Sequence, residues 1–230
     1  VTFLLVHGAR HGAWCWDLLV RELEARGHAS IAVDLPSEDE SAGAERYAEV
    51  AADAVRAAGG PRVVAVGHSL GGLVIPLLPA LVDVEELVFL CSPLPIPGRS
   101  LWSQLDEDPD LFVPGSVQPE ARRPGELIEA GEDYAIRTYF HDCPDELARW
   151  ASGKLRRQST RATTEPSPVD EWPPRVPCRY VMGANDRILN PAWSRREVPK
   201  RLGVEPVELD TGHSPFLARP GELADVLVRG

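Results

Sequence analysis

Ser69 is the residue with the clearest chemical potential, because it stands at the centre of Gly67-His68-Ser69-Leu70-Gly71 directly after the apolar run from Arg62 to Val66. A sharp strand-to-helix turn forces its central residue into a strained backbone conformation, and glycines two positions before and after it relieve the crowding. In that setting the hydroxyl is lifted clear of a sheet edge, and the first amides of the following helix point at whatever the serine attacks. The chemistry is nucleophilic acyl transfer. A bare G-x-S-x-G is a weak signal; the strand before it and the helical pattern after it make it informative.

Such a serine needs a neutral imidazole to take its proton. Six histidines are available: His7, His11, His28, His68, His141 and His213. His213 is the best placed, in Thr211-Gly212-His213-Ser214 after the last strand-like run, where the carboxyl ends of parallel strands collect active-site loops. His68 is adjacent to Ser69, but the turn aims it away. The carboxylate that orients the base is assigned to Asp186, in Gly183-Ala184-Asn185-Asp186-Arg187, which gives the chain order Ser, Asp, His. Asp210 is the competing choice, three residues before His213.

Acyl transfer also needs two donors for the developing oxyanion. One is the Leu70 amide, and the other is assigned to Ala9 in the loop after the first strand, His7-Gly8-Ala9. His7 and His11 have the spacing of a metal pair on a helix, but Gly8 and Gly12 disfavour a helix there and no third ligand follows. No metal or cofactor is expected.

The elements that must position these residues alternate between short apolar runs and longer helical patterns, which is the signature of a parallel sheet covered by helices. Expected strands are Val1 to Val6, Ala29 to Val33, Arg62 to Val66, Leu87 to Leu90, Cys178 to Met182 and Pro206 to Leu209. Expected helices run from Trp14 to Arg26, Ala44 to Ala58, the Ser69 turn to about Leu81, Pro191 to Leu202, and Pro220 to Val228. The strand-helix rhythm breaks from about residue 93 to 174, where Pro and acidic residues are frequent. The expectation is one α/β domain over residues 1–230: a mostly parallel sheet of about six strands, helices on both faces, and a cap insertion over about 93–174.

Composition narrows the partners. With 24 basic and 35 acidic residues the formal net charge is -11, which disfavours phosphate backbones and anionic lipid surfaces, so neither nucleic acid nor membrane is expected. No apolar stretch approaches the roughly 20 residues that span a bilayer, and a cytoplasmic location is expected if nothing precedes Val1 in the natural protein. The four cysteines are far apart and suggest neither a zinc site nor a disulfide framework. A homodimer is left open.

The opening run from Leu5 to Trp16, together with Gly67 to Gly72, Asp142 to Leu147 and Gly212 to Pro220, resembles the plant methylesterase and hydroxynitrile lyase branch of the α/β-hydrolases. The likeness covers most of the chain and is weak from about Pro95 to Glu132. It implies the α/β-hydrolase fold, a triad on Ser69, Asp186 and His213, and oxyanion amides on Ala9 and Leu70. The lyases carry Thr where this chain has Gly8, and a Lys, which stabilises departing cyanide, where it has Ser214. The resemblance therefore implies hydrolysis of a small-molecule ester.

The insertion supplies Trp102, Phe112, Tyr134, Tyr139, Phe140, His141 and Trp150, enough to roof a mainly apolar pocket above Ser69. Expected substrate contacts are Gly8, Trp102, Tyr139, Phe140 and His141. The reading is a serine carboxylesterase for small to medium esters. A lyase or acyltransferase using the same serine is the rival enzyme, and a ligand-binding protein with a vestigial triad is the rival from another class.

Overall fold

The computed structural model describes residues 1–229. The main sheet is built from β1 (Thr2–Val6), β2 (Ala29–Ala32), β3 (Val63–His68), β4 (Val84–Leu90), β7 (Cys178–Gly183) and β8 (Val207–Leu209), with β5 (Leu127–Ile128) and β6 (Gln158–Ser159) in the intervening segment. All six strands are parallel, in the order β2-β1-β3-β4-β7-β8. Every residue of β3 is buried, as an unbroken apolar run requires of a central strand covered on both faces. The order reverses between β1 and β3, so the loops leaving their carboxyl ends diverge and open a crevice above the sheet.

Around the sheet lie α1 (Asp17–Ala25), α2 (Ala44–Ala57), α7 (Pro191–Leu202), α8 (Pro215–Ala218) and α9 (Pro220–Val228). Helix α7 shows why these residues form a helix. Asn190 Oδ1 accepts from the Ala192 amide at 3.0 Å, Pro191 occupies the first helical position, and Gly203 ends the helix at φ 73°.

The stretch after Ser69 departs from the expected α-helix. It forms two 3₁₀ segments, Ser69–Leu73 and Ile75–Ala80. Pro76 and Pro79 remove amide donors and crowd the preceding turn, so a continuous α-helix cannot be sustained. Strand β4 begins earlier than expected and takes in Glu85 and Glu86. The acidic strand position is tolerated because Glu86 pairs with Arg179 of β7 at 2.7 Å.

The segment from 93 to 174 contains α3 (Leu101–Glu107), α4 (Glu132–Thr138), α5 (Asp145–Ser152), α6 (Arg161–Thr164) and a two-stranded antiparallel ribbon of β5 (Leu127–Ile128) with β6 (Gln158–Ser159). The ribbon ties this segment to the loops above the sheet. The Ser159 amide donates to the Ser37 carbonyl at 2.7 Å, the Arg156 amide to the Arg10 carbonyl at 2.8 Å, and the Arg10 amide to Gln158 Oε1 at 3.1 Å. Among the described residues no helix is long and apolar enough to cross a membrane.

Candidate active site

Ser69 follows β3 directly and adopts φ 49°, a left-handed conformation that costs a non-glycine residue on the order of 1–3 kcal/mol and persists only where its surroundings enforce it. The enforcement comes from close backbone packing. A Cβ on Gly67 would stand 2.6 Å from the Gly71 carbonyl oxygen, and one on Gly71 would stand 2.5 Å from the Val6 carbonyl oxygen. The two glycines are therefore required by close approach, since neither has a positive φ.

His213 and Asp186 meet below the crevice mouth, both almost fully buried, with Nδ1 of the imidazole 2.7 Å from Oδ2 of the carboxylate. Asp186 follows the end of β7, and its second oxygen accepts the amides of Ile188 at 2.7 Å and Leu189 at 3.1 Å. Those bonds lock the carboxylate and leave one oxygen for the imidazole. An acceptor at Nδ1 places the proton there in the neutral ring and leaves the Nε2 lone pair free. Asp210, the competing acid, accepts from Asn185 Nδ2 at 2.8 Å instead.

His68 serves the base loop. Its Nε2–H donates to the His213 carbonyl at 2.8 Å, and burial pushes its pKa well below the usual imidazole value, so it is neutral. His7 and His11 are held locally: each Nδ1–H donates to a backbone carbonyl at 2.8 Å, of Gly8 and Ala9 respectively. His7 Nε2 accepts the Leu35 amide at 3.0 Å.

The Ala9 amide donates to no protein acceptor among the described residues, and the Leu70 amide belongs to the first helical turn, whose N–H groups have no internal partner. Both residues line the same cavity as Ser69 and His213. Two donors beside a hydroxyl and a free imidazole nitrogen form a set competent for acyl transfer.

That cavity opens to solvent. Leu101, Trp102, Phe112, Ile128 and Ile188 form an apolar wall, and Trp102 and Tyr139 stand where the sequence placed substrate contacts. Three expected contacts are elsewhere. Gly8 lies behind the nucleophile, where a Cβ would be 2.7 Å from His68 Nδ1 and 2.9 Å from Ser69 Cβ, so it makes room for the turn instead of meeting a ligand. Phe140 is fully buried against His11 and Tyr139. His141 faces the opposite way, with Nε2 3.1 Å from the Asn185 carbonyl. Consecutive residues at the end of α4 cannot all face one cavity, and Tyr139 is the one that does.

Sequence reasoning missed the polar part of the lining: Arg10, His11, Gln118, Gln158, Ser159, Thr160 and Thr163. Gln158 and its neighbours carry no motif, and only the long-range pairing of β6 brings them to the site. Ser214, where the lyases have lysine, is fully buried and does not line the cavity.

Comparison with known proteins agrees with this architecture. Residues 3–226 match the model of the "Alpha/beta hydrolase family". The chain is 31% identical over 251 residues to the probable esterase PIR7A of Oryza sativa subsp. indica, covering 99% of this chain and 95% of the rice protein. It is 28% identical over 256 residues to methylesterase 2 of Arabidopsis thaliana, covering 98% and 94%. The crystal structure of a pyrethroid hydrolase from Sphingobium faniae JZ-2 superposes with a TM-score of 0.79 at 26% identity, over 100% of this chain and 96% of that one. The chain belongs to the alpha/beta hydrolase family and is a hydrolase of the carboxylesterase type.

Proposed function

We propose that the protein hydrolyses small to medium carboxylic esters through an acyl-enzyme on Ser69. The observation that carries this reading is the buried Asp186–His213 pair at 2.7 Å opening into the same cavity as the left-handed Ser69. Ser69 Oγ attacks the ester carbonyl while His213 Nε2 takes its proton, and Asp186 holds the imidazole in the reactive tautomer and stabilises the imidazolium. The carbonyl electron pair moves to oxygen, where the Ala9 and Leu70 amides receive it; removing one such donor costs about 3–4 kcal/mol in barrier. Collapse of the tetrahedral intermediate expels the alcohol, which leaves with the proton from His213. Water, deprotonated by the same nitrogen, attacks the acyl-enzyme and releases the acid.

Ester hydrolysis is favoured over cyanohydrin cleavage because Ser214 stands where the lyases carry their lysine and no lysine lines the cavity. The test is a panel of short-chain esters with wild type and Ser69→Ala, combined with labelling by a fluorophosphonate. Turnover and labelling should both disappear in Ser69→Ala. Undiminished turnover in that variant would overturn the reading.

A further inference from the structure

Among the described residues only two Asp, Glu, Lys or Arg side chains are buried, Asp186 and Arg10. Asp186 has its partner in His213. Arg10 has none: no carboxylate oxygen lies within the 4.0 Å reach at which the other ion pairs form, and no Asp or Glu lines the cavity into which it faces.

A guanidinium presents five N–H donors. One NH1 hydrogen goes to the Tyr139 hydroxyl and one NH2 hydrogen to Gln118 Oε1, while Nε has no acceptor at all. Every partner it has is neutral. A buried charge without a counter-charge is costly, on the order of several kcal/mol even after relaxation, and an anionic ligand at the site would offset that cost.

The backbone is organised to keep Arg10 there. Arg10 takes the left-handed φ of 66°, which a non-glycine residue adopts only when held. Its amide is fixed by Gln158 Oε1 and its carbonyl by the Arg156 amide, so the segment around β6 clamps the residue directly after Ala9. The guanidinium is thereby set against the ring of Tyr134, 5.9 Å from its centroid, and against Tyr139, whose ring stands 5.9 Å from that of His213. Tyr139 thus touches the cation on one side and the candidate base on the other.

We infer that the cavity takes esters that carry a free carboxylate, and that Arg10 is the residue that selects for it. This rests on the proposed esterase reading of the same site and names its substrate class: hemiesters of short dicarboxylic acids, or acyl esters of short hydroxy acids. A carboxylate fits better than a phosphate monoester, because a single cation balances a single negative charge and the buried His11 and His68 of the lining do not supply a second one. His11 and His68 stay neutral through burial. Gln118, Ser159, Thr160 and Thr163 add polar groups to the lining, and Leu101, Trp102, Phe112, Ile128 and Ile188 supply apolar surface for the rest of the substrate.

The experiment compares kcat/KM, by pH-stat titration, for monoethyl esters of dicarboxylic acids of increasing length against ethyl esters of the matching monocarboxylic acids. A second series uses O-acetyl hydroxy acids against acetyl esters of the matching alcohols. At least one charged ester should exceed its neutral isostere by about tenfold or more. Arg10→Met should reduce that preference to about unity, with Arg10→Lys between the two. Because the readout is a ratio within one protein, partial loss of folded enzyme does not obscure it. In parallel, calorimetry measures glutarate binding to Ser69→Ala and to Ser69→Ala/Arg10→Met, with binding expected in the first and not the second. If neutral esters are turned over as well as or better than every charged one, the carboxylate inference falls and the esterase reading stands. If no ester is turned over but glutarate binds through Arg10, the esterase reading falls and the anion site stands. If neither occurs, both fall.

Discussion

The Nε2 of His68 and the carbonyl oxygen of His213 are 2.8 Å apart, so the residue preceding the candidate nucleophile holds the backbone of the candidate base. The two rings are 4.8 Å apart between centroids, and His68 Nδ1 has no partner. His68→Phe keeps the ring volume but leaves the carbonyl without its donor. It should destabilise the fold by about 1–3 kcal/mol and lower kcat by roughly 10–100-fold as the base shifts. Thermal unfolding and steady-state kinetics check this; full activity in a stable His68→Phe protein would remove the positioning role.

Asp186→Asn tests the tautomer argument. The Asn side chain can still accept the Ile188 and Leu189 amides through its oxygen, but it then presents an NH₂ donor to His213 and favours the wrong imidazole proton position. The expected fall in kcat is roughly 10⁴-fold, with binding of a non-hydrolysable product acid unchanged. Asp210→Asn, by contrast, disturbs only the contact with Asn185 and should leave kcat within about threefold.

Gly8→Ala would put a methyl group 2.7 Å from His68 Nδ1 and 2.9 Å from Ser69 Cβ. Overpacking of this kind costs about 1–3 kcal/mol and displaces the Ser69 turn. Fluorophosphonate labelling should slow by at least about tenfold. Unchanged labelling would mean that the loop after β1 yields more easily than its contacts suggest.

How much of this site could be read from the amino acids alone differs from residue to residue. Helices α7 and α9 were legible to the residue because their Pro starts and apolar faces are local signals, and the parallel sheet was legible because both-face burial writes unbroken apolar runs. The segment after Ser69 was misread as an α-helix although Pro76 and Pro79 stood in plain view. Ser69, Asp186 and His213 were legible as candidates because each follows a strand end in the required order, and the structure brings Asp186 and His213 into contact. The cap contacts were only half legible. Tyr139, Phe140 and His141 are neighbours in sequence, and which of them faces the cavity depends on the rotation of α4, set by packing across residues far apart in the chain. Arg10 carried no signal at all: its conformation depends on Gln158, 148 positions away.

Three imidazoles make stability dependent on pH. Burial lowers His7 to about 4, His11 to about 3, and His68 well below the usual value, whereas in the unfolded chain each titrates near 6.5. Below about pH 6.5 the unfolded chain therefore takes up protons that the native chain refuses, and stability falls as pH drops from 6.5 towards 4. Above about pH 7.5 the contribution is complete. Each histidine adds a slope of up to about 1.4 kcal/mol per pH unit in that window. Denaturant melts at pH 7.5, 6 and 5 should show a steady decline; a flat profile would mean that these rings are charged in the native state.

The thiols should be silent in the native protein. Cys15 and Cys91 are fully buried and raised well above the ordinary thiol value by burial, and Cys143 and Cys178 are pushed up to about 12, with the charges of Asp142 and Glu86 adding to burial. Ellman's reagent at pH 8 should find less than one reactive thiol per chain before unfolding and all four afterwards. Rapid reaction of a single thiol would identify local opening around Cys178, the most accessible of them.

The segment around β6 holds Ser37, Arg10 and, through the Arg156 guanidinium, the carbonyls of His11 and Leu35, at 3.2 Å and 3.0 Å. These bonds hold the stretch around β6 against the loops that follow β1 and β2, so that part of the roof is not expected to swing on a hinge. With that side of the entrance held in place, acceptance should end abruptly at a limiting girth of the ester instead of tapering, and capture should proceed in one kinetic phase with no slow isomerisation before the chemistry.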